Sequence, residues 1–300
     1  VFRLPEPVRG GQGALAAEAS ARPRARTAPP LQDPEQPKDI AAAMGIEPDE
    51  RLARQANAPM SFPGAMRYIL SVRTNIALIV SGACGYYFLA GLQTFGTEFV
   101  SGQYGISQAV SNLLLLVVGL GAVVGVVASG PISDALLRRG HLTSRVTVAA
   151  VSASVTVLLF IPALVTHSVM TALPYVVFAA AALTAQNPPI DAARLDIMPS
   201  WLWGRSEGLR TLLRTAAQSL APLLFGAFAD YVFGGGTAGL KWTFVIMLIP
   251  LTASAVYLFQ ARKRYPRDVA TAAAAEADRQ RTDPGPASGW DPVGQTAPGY

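Results

Sequence analysis

Between Asn75 and Gln260 the chain reads as six apolar runs, each about the length of a membrane span, separated by short clusters of charge. The runs fall at about Ile76–Phe99, Val110–Ser129, Val146–Val165, Val169–Gln186, Thr215–Phe233 and Trp242–Gln260. A helix crosses the ~30 Å hydrocarbon layer with roughly 20 apolar residues and must satisfy its own backbone hydrogen bonds there. Only 14% of the 300 residues are charged and 51% are hydrophobic, against about 25% charged in soluble domains. The predicted fold class is therefore all-α, a polytopic membrane bundle of six transmembrane helices.

Charge placement predicts the orientation. The stretch up to Arg73 carries ten Lys and Arg, the second–third loop three, the fourth–fifth connection four and the tail six. Lys241 stands alone on the other face. With the long first stretch set aside the count is still 13 against 1, so the positive-inside rule puts both termini in the cytoplasm. The same asymmetry accounts for the pI of about 9.6 without any nucleic-acid partner. Of the 24 basic residues 21 are arginine and alanine is abundant, a composition read as that of a GC-rich bacterial genome and a plasma (inner) membrane protein.

Outside the spans, residues 1–60 are rich in Pro, Gly, Ala and Arg and repeat no apolar face, so they read as a disordered cytoplasmic linker. Residues 61–74 read as an amphipathic interfacial helix, with Met66, Ile69, Leu70 and Val72 beside Arg67 and Arg73. The six-span domain occupies 75–262. The tail, 263–300, reads as a frayed helix passing into disorder. The first residue is Val and "VFRLPEPVRGG" reads like the end of something upstream, so the chain is expected to be a fragment or a half.

The only cysteine, Cys84, lies in an apolar run and excludes an internal disulfide framework or a CxxC site; it is expected to be a small core residue. His141 and His167 fall in loops and have no partner at metal-ligand spacing. No Walker loop, GxGxxG or nucleophile elbow is present. The expectation is a chain that is not an enzyme and needs no metal or cofactor. Gly121 and Gly125 form a GxxxG face for close helix contact.

The connection after the second run, "GPISDALLRRGH", carries the most specific pattern. Gly130 is expected to permit a close helix approach, and Asp134 to accept hydrogen bonds at another helix's N-terminus. Arg138 and Arg139 are expected to pair with Asp191, Asp196 and Glu207 as a breakable gate, or else only to enforce orientation while Asp134 caps a helix. The stretch resembles the G-x-x-x-D-[RK]-x-x-[RK] signature of the major facilitator superfamily (MFS), in its C-terminal copy, with Ala135 in place of the first basic residue. The fifth run, "TAAQSLAPLLFGAFAD" with Pro222 and Gly226, resembles that family's eleventh helix. "GYYFLAGLQTFGTEF" and "YGISQAVSNLLLLVVGLGAVVG" are similar to its seventh and eighth. The resemblance covers residues 1 to about 265, the central loop and the C-terminal six helices, and is closest to bacterial drug and sugar permeases and spinster-like lipid transporters.

The resemblance implies one six-helix half of a twelve-helix secondary transporter, completed by a missing N-terminal half or by a second copy. "GPISD" and "GAFAD", at residues 130–134 and 226–230 on opposite exits, fit a 3+3 inverted repeat. In this family the first and fourth helices of each half line the substrate cavity, which directs attention to polar residues within spans. Tyr86, Gln93 and Thr97 share one face of the first run, and Tyr87, Thr94 and Glu98 the adjoining face. Tyr175, Gln186 and Asn187 give a comparable face in the fourth. Tyr86, Tyr87, Gln93, Glu98, Tyr175, Gln186 and Asn187 are thus the expected cavity residues for a small-molecule substrate, with Glu98 suited to proton coupling. The expected function is a gradient-driven permease working by alternating access in the lipid bilayer. Two alternatives stand beside it: a six-span subunit of an ATP-driven permease, and a non-transporting membrane scaffold.

Overall fold

The computed structural model describes residues 36–282, and within them every regular element is helical. Three short helices come first: α1 (Pro37–Ala43), α2 (Glu50–Asn57) and α3 (Phe62–Ser71). The spanning helices follow as α4 (Arg73–Tyr104), α5 (Gln108–Arg138), α6 (Ser144–Val165) and α7 (Val169–Ala185). Next come α8 (Asn187–Asp196), α9 (Trp203–Ala227) and α10 (Gly236–Thr282). Six helical segments are long and apolar enough to cross a membrane, one for each of the six apolar runs.

Local chemistry sets the breaks. Ser107 caps α5 by accepting from the Val110 amide at 3.4 Å, after Gly105 ends α4 in the left-handed region at φ 63°, a conformation that favours glycine. Pro188 and Pro189 open α8, where missing N–H groups cost nothing, and so divide the fourth run from its polar continuation. The fifth span ends in a π-helical turn, Phe228–Val232, against which Gly239 of α10 packs: a Cβ there would stand 2.6 Å from the Ala229 carbonyl.

Helix α4 packs between α9 and α10, α5 lies along α7, and α6 bridges α7 and α10. The α5–α7 contact is the close one the GxxxG pattern predicts. A Cβ on Gly125 would overlap the Ala181 carbonyl, and one on Gly121 would stand 2.9 Å from the Val177 carbonyl. Gly130 is different. A Cβ there would meet nothing within 4 Å among the described residues, so within this chain the close approaches on α5 are those of Gly121 and Gly125. In the middle of the bundle Phe88, Phe160, Phe225 and Phe244 form a buried aromatic cluster with edge-to-face contacts at 5.0–6.4 Å, the offset geometry aromatic quadrupoles prefer.

The linker read as disordered holds helices at Pro37–Ala43 and Glu50–Asn57, and the helix read at the start of the tail extends to Thr282. Helix α10 runs on past its apolar segment to Thr282, and α1 and α2 pack against that extension. The Lys38 ammonium meets Glu276 at 2.7 Å, the Asp49 amide donates to Thr271 Oγ1 at 2.8 Å, and Asn57 Nδ2 donates to the Ala275 carbonyl at 2.9 Å. Ala53, Ala56, Val269 and Ala275 are buried in the seam. Helices of seven or eight residues do not persist alone in water, and alanine gives little apolar signal, so the reading of isolated segments missed a structure made by packing. Residues 1–35 and 283–300 lie outside the described residues. Helix α3 forms where the interfacial helix was expected, burying Ala65, Tyr68 and Ile69 while Phe62 and Leu70 stay exposed.

Glu276 is the pivot of this clasp, because its other oxygen accepts from the Ser200 amide at 2.8 Å. Glu276→Ala is expected to loosen the clasp by about 1–2 kcal/mol, one charge-assisted bond plus a partly exposed ion pair. Hydrogen exchange reads it directly: α1 and α2 amides should exchange faster, while those of α5 and α7 stay unchanged.

Candidate functional site

The polar residues at the Arg-rich end form two networks. In the first, Arg145 at the start of α6 reaches Asp134 at 3.3 Å and both Asp196 oxygens at 2.6 Å. Tyr265 of the α10 extension donates its hydroxyl to Asp196 at 2.5 Å. Asp196 therefore ties α8, α6 and α10 together, with Tyr265 fully buried and the Asp196 and Arg145 side chains only 10% and 15% exposed.

The second network joins α8 to α9. Arg194, 2% exposed, contacts Glu207 at 3.2 Å and Asp191 at 3.6 Å; Arg210 contacts Asp191 at 2.8 Å and Glu207 at 2.5 Å. Two guanidinium groups alternate with two carboxylates that stay nearly half exposed, and this alternation answers the charge of the buried arginines.

These contacts correct the expected gate. Asp191, Asp196 and Glu207 are all engaged, but by Arg145, Arg194 and Arg210. Arg138 and Arg139 are exposed and form no ion pair among the described residues. The reason is geometric. Arg138 and Arg139 stand at the exposed end of α5 where the chain turns, whereas Arg145 opens the helix that returns alongside α8. Asp134 likewise takes a guanidinium partner rather than the backbone amides of another helix. The i,i+3 pairs Asp191/Arg194 and Glu207/Arg210 were legible as helix-face pairs, but Tyr265, distant in sequence, carried no local signal.

The expected cavity residues separate into groups. Tyr86 turns toward α9, where the Arg214 guanidinium carbon stands 4.8 Å from its ring centroid, within cation–π range. The fully buried Gln186 side chain lies against the Cα of Gly85, next to Tyr86, where a Cβ would collide with the amide. Both Gln186 polar atoms and the Asn187 Oδ1 are buried without a hydrogen-bond partner, as is Arg214 Nε. Tyr86 of α4 and Arg214 of α9 thus meet, while Gln186 of the α7–α8 joint packs against the neighbouring Gly85, with Asn187 next in the chain. Arg214 was missed because it sits one residue before the apolar run and read as one more orienting charge.

The others point elsewhere. Tyr87 packs into the apolar interior, its ring 5.6 Å from Phe225 and its hydroxyl 3.2 Å from Met247 Sδ. With Cys84, which is only partly buried, it lines an open apolar groove of about 600 Å³ between α4, α9 and α10. Gln93 and Glu98 are exposed on α4. Tyr175, 37% exposed, lines a surface recess with Val155 and Leu159 of α6.

Six spans packed around an aromatic core, with their charges gathered at one end and a few unpartnered polar groups held among them, define a multi-pass helical membrane protein. Comparison with known families gives that class a particular member: a model of the Organic Anion Transporter Polypeptide (OATP) family matches residues 15–177, more than half of the chain. The chain belongs to this family and is a membrane transporter. No curated protein matches it.

Proposed function

We propose that the chain moves an organic anion across the membrane by alternating access, with Arg214 and Tyr86 as the polar anchor for the substrate. The observation that carries this reading is the seat of Arg214 on the Tyr86 ring. Arg145, Arg194 and Arg210 each meet carboxylates within 4 Å, whereas Arg214 has no carboxylate at ion-pair distance among the described residues. A cation at the edge of a span, resting on an aromatic ring and with its Nε unpartnered, offers an anion charge, a π face and a hydrogen-bond donor together. The family's printed name, organic anion transporter, agrees with that chemistry.

Alternating access in an MFS-type transporter uses two six-helix bodies around a midplane site, each with a 3+3 inverted repeat. The second and fifth spans fit a role at the junction between bodies, since they bury only 22% and 17% of their apolar windows, against 33–44% for the others. The partner body is the other half of the fold or a second copy of this chain. The Arg145–Asp196–Tyr265 network lies at the end that the positive-inside rule assigns to the cytoplasm, where it would favour one conformation.

Uptake of a carboxylated fluorescent dye into liposomes holding the full chain tests this. Arg214→Gln should lower initial uptake at least about tenfold, the worth of ~1.4 kcal/mol, with Arg214→Lys intermediate and elution profiles unchanged. Uptake by Arg214→Gln at the unaltered rate would remove Arg214 from the pathway. Running the assay with and without a proton gradient or ATP separates secondary transport from an ATP-driven permease; no uptake under any condition would leave the scaffold alternative.

A further inference from the structure

A recess of about 570 Å³ lies at the Arg-rich end, where α4 begins and α10 leaves its apolar segment. Arg73 of α4 and Lys263 and Arg264 of α10 stand at its mouth. None of the three forms an ion pair among the described residues, and no carboxylate is in the lining. Asp268, one turn beyond Arg264, is not within ion-pair distance of it. The wall that continues into the apolar zone is made by Ile76, Val80 and Tyr257, which are 37%, 40% and 52% exposed. The spacing explains the convergence: Arg73, Ile76 and Val80 follow i, i+3, i+7 on one face of α4, while Tyr257 and Arg264 are seven residues apart on one face of α10.

We propose that this recess is a binding site for an anionic phospholipid, with the phosphate headgroup held by Arg73, Lys263 and Arg264 and an acyl chain along Ile76, Val80 and Tyr257. Charge that only orients a chain needs no convergence, but these cations come from opposite ends of the bundle domain to one opening. Basic residues between helices at the cytoplasmic membrane face attract anionic headgroups, and a tyrosine suits the boundary between headgroup and acyl layers. The apolar wall decides between a lipid and a soluble phosphate, since a soluble anion gains nothing from it. The site is separate from the Tyr86–Arg214 pair and does not depend on what is transported.

The test places the full chain in phosphatidylcholine nanodiscs doped with spin-labelled phosphatidylglycerol, and with spin-labelled phosphatidylcholine as the neutral probe. Phosphatidylglycerol should be retained in preference, and R73A/K263A/R264A should lose roughly a hundredfold of that preference, about fivefold for each basic residue. Arg138→Ala with Arg139→Ala, which removes equal kinds of charge from the same end, should leave it intact. Each single substitution should show its own fivefold loss, so the proposal stays testable if the triple variant does not fold. Equal retention of the two probes, or an equal loss in the Arg138/Arg139 variant, overturns the site. Displacement by glycerol phosphate at concentrations matching the lipid overturns the lipid assignment in favour of a soluble anion.

Discussion

Asp196→Ala is expected to destabilise the bundle by about 3–5 kcal/mol, the cost of removing one partner from a buried ion pair. Its carboxylate answers Arg145 on both oxygens and the Tyr265 hydroxyl on one. Without it a largely buried guanidinium keeps only the half-exposed Asp134, a fully buried phenol loses its partner, and three helices lose their common tie. Asp134 meets the same arginine but is 47% exposed, so Asp134→Ala should cost less than about 1 kcal/mol. Thermal unfolding of the purified chain in detergent gives the ranking. If Asp134→Ala lowers the midpoint as far as Asp196→Ala, the network is not organised around Asp196.

The second large effect is steric. Gly125→Val should cost about 3 kcal/mol, the upper range for overpacking, because the obstruction is the Ala181 backbone and not a side chain that can rotate away. Gly130→Ala meets open space and should be neutral or slightly stabilising, since alanine favours a helix over glycine by up to about 1 kcal/mol. Expression and melting midpoints of the two variants check the contrast. Equal tolerance would mean that α5 and α7 are not held at this separation.

Much of the bundle was legible because lipid imposes length and apolarity on each span independently of its neighbours. The GxxxG face could be read for a related reason: a pair of small residues at i, i+4 marks one side of a helix whatever packs there. The site was legible only in part. Tyr86 and Gln186 stood out as polar groups in apolar runs, but Tyr87 and Tyr175, equally conspicuous, turn to a core and a surface recess. A one-residue step is 100° around a helix, and a helix with polar groups on several faces does not announce which one its neighbours cover. Arg214 lay hidden among the orienting arginines, since what distinguishes it is the Tyr86 ring it rests on, and that is a property of its surroundings.

The sequence by itself determined the class of the protein, its six spans and the gathering of its charges at one end, because transfer into hydrocarbon acts on each segment alone. It also carried the acids of the two charge networks, Asp191, Asp196 and Glu207. Only the tertiary structure decided which arginines answer them, that α1 and α2 fold against the end of α10, and that Arg214 rests on Tyr86. Those outcomes depend on groups far apart in the chain meeting across helices, and pairing energies between distant groups leave no periodicity along a sequence.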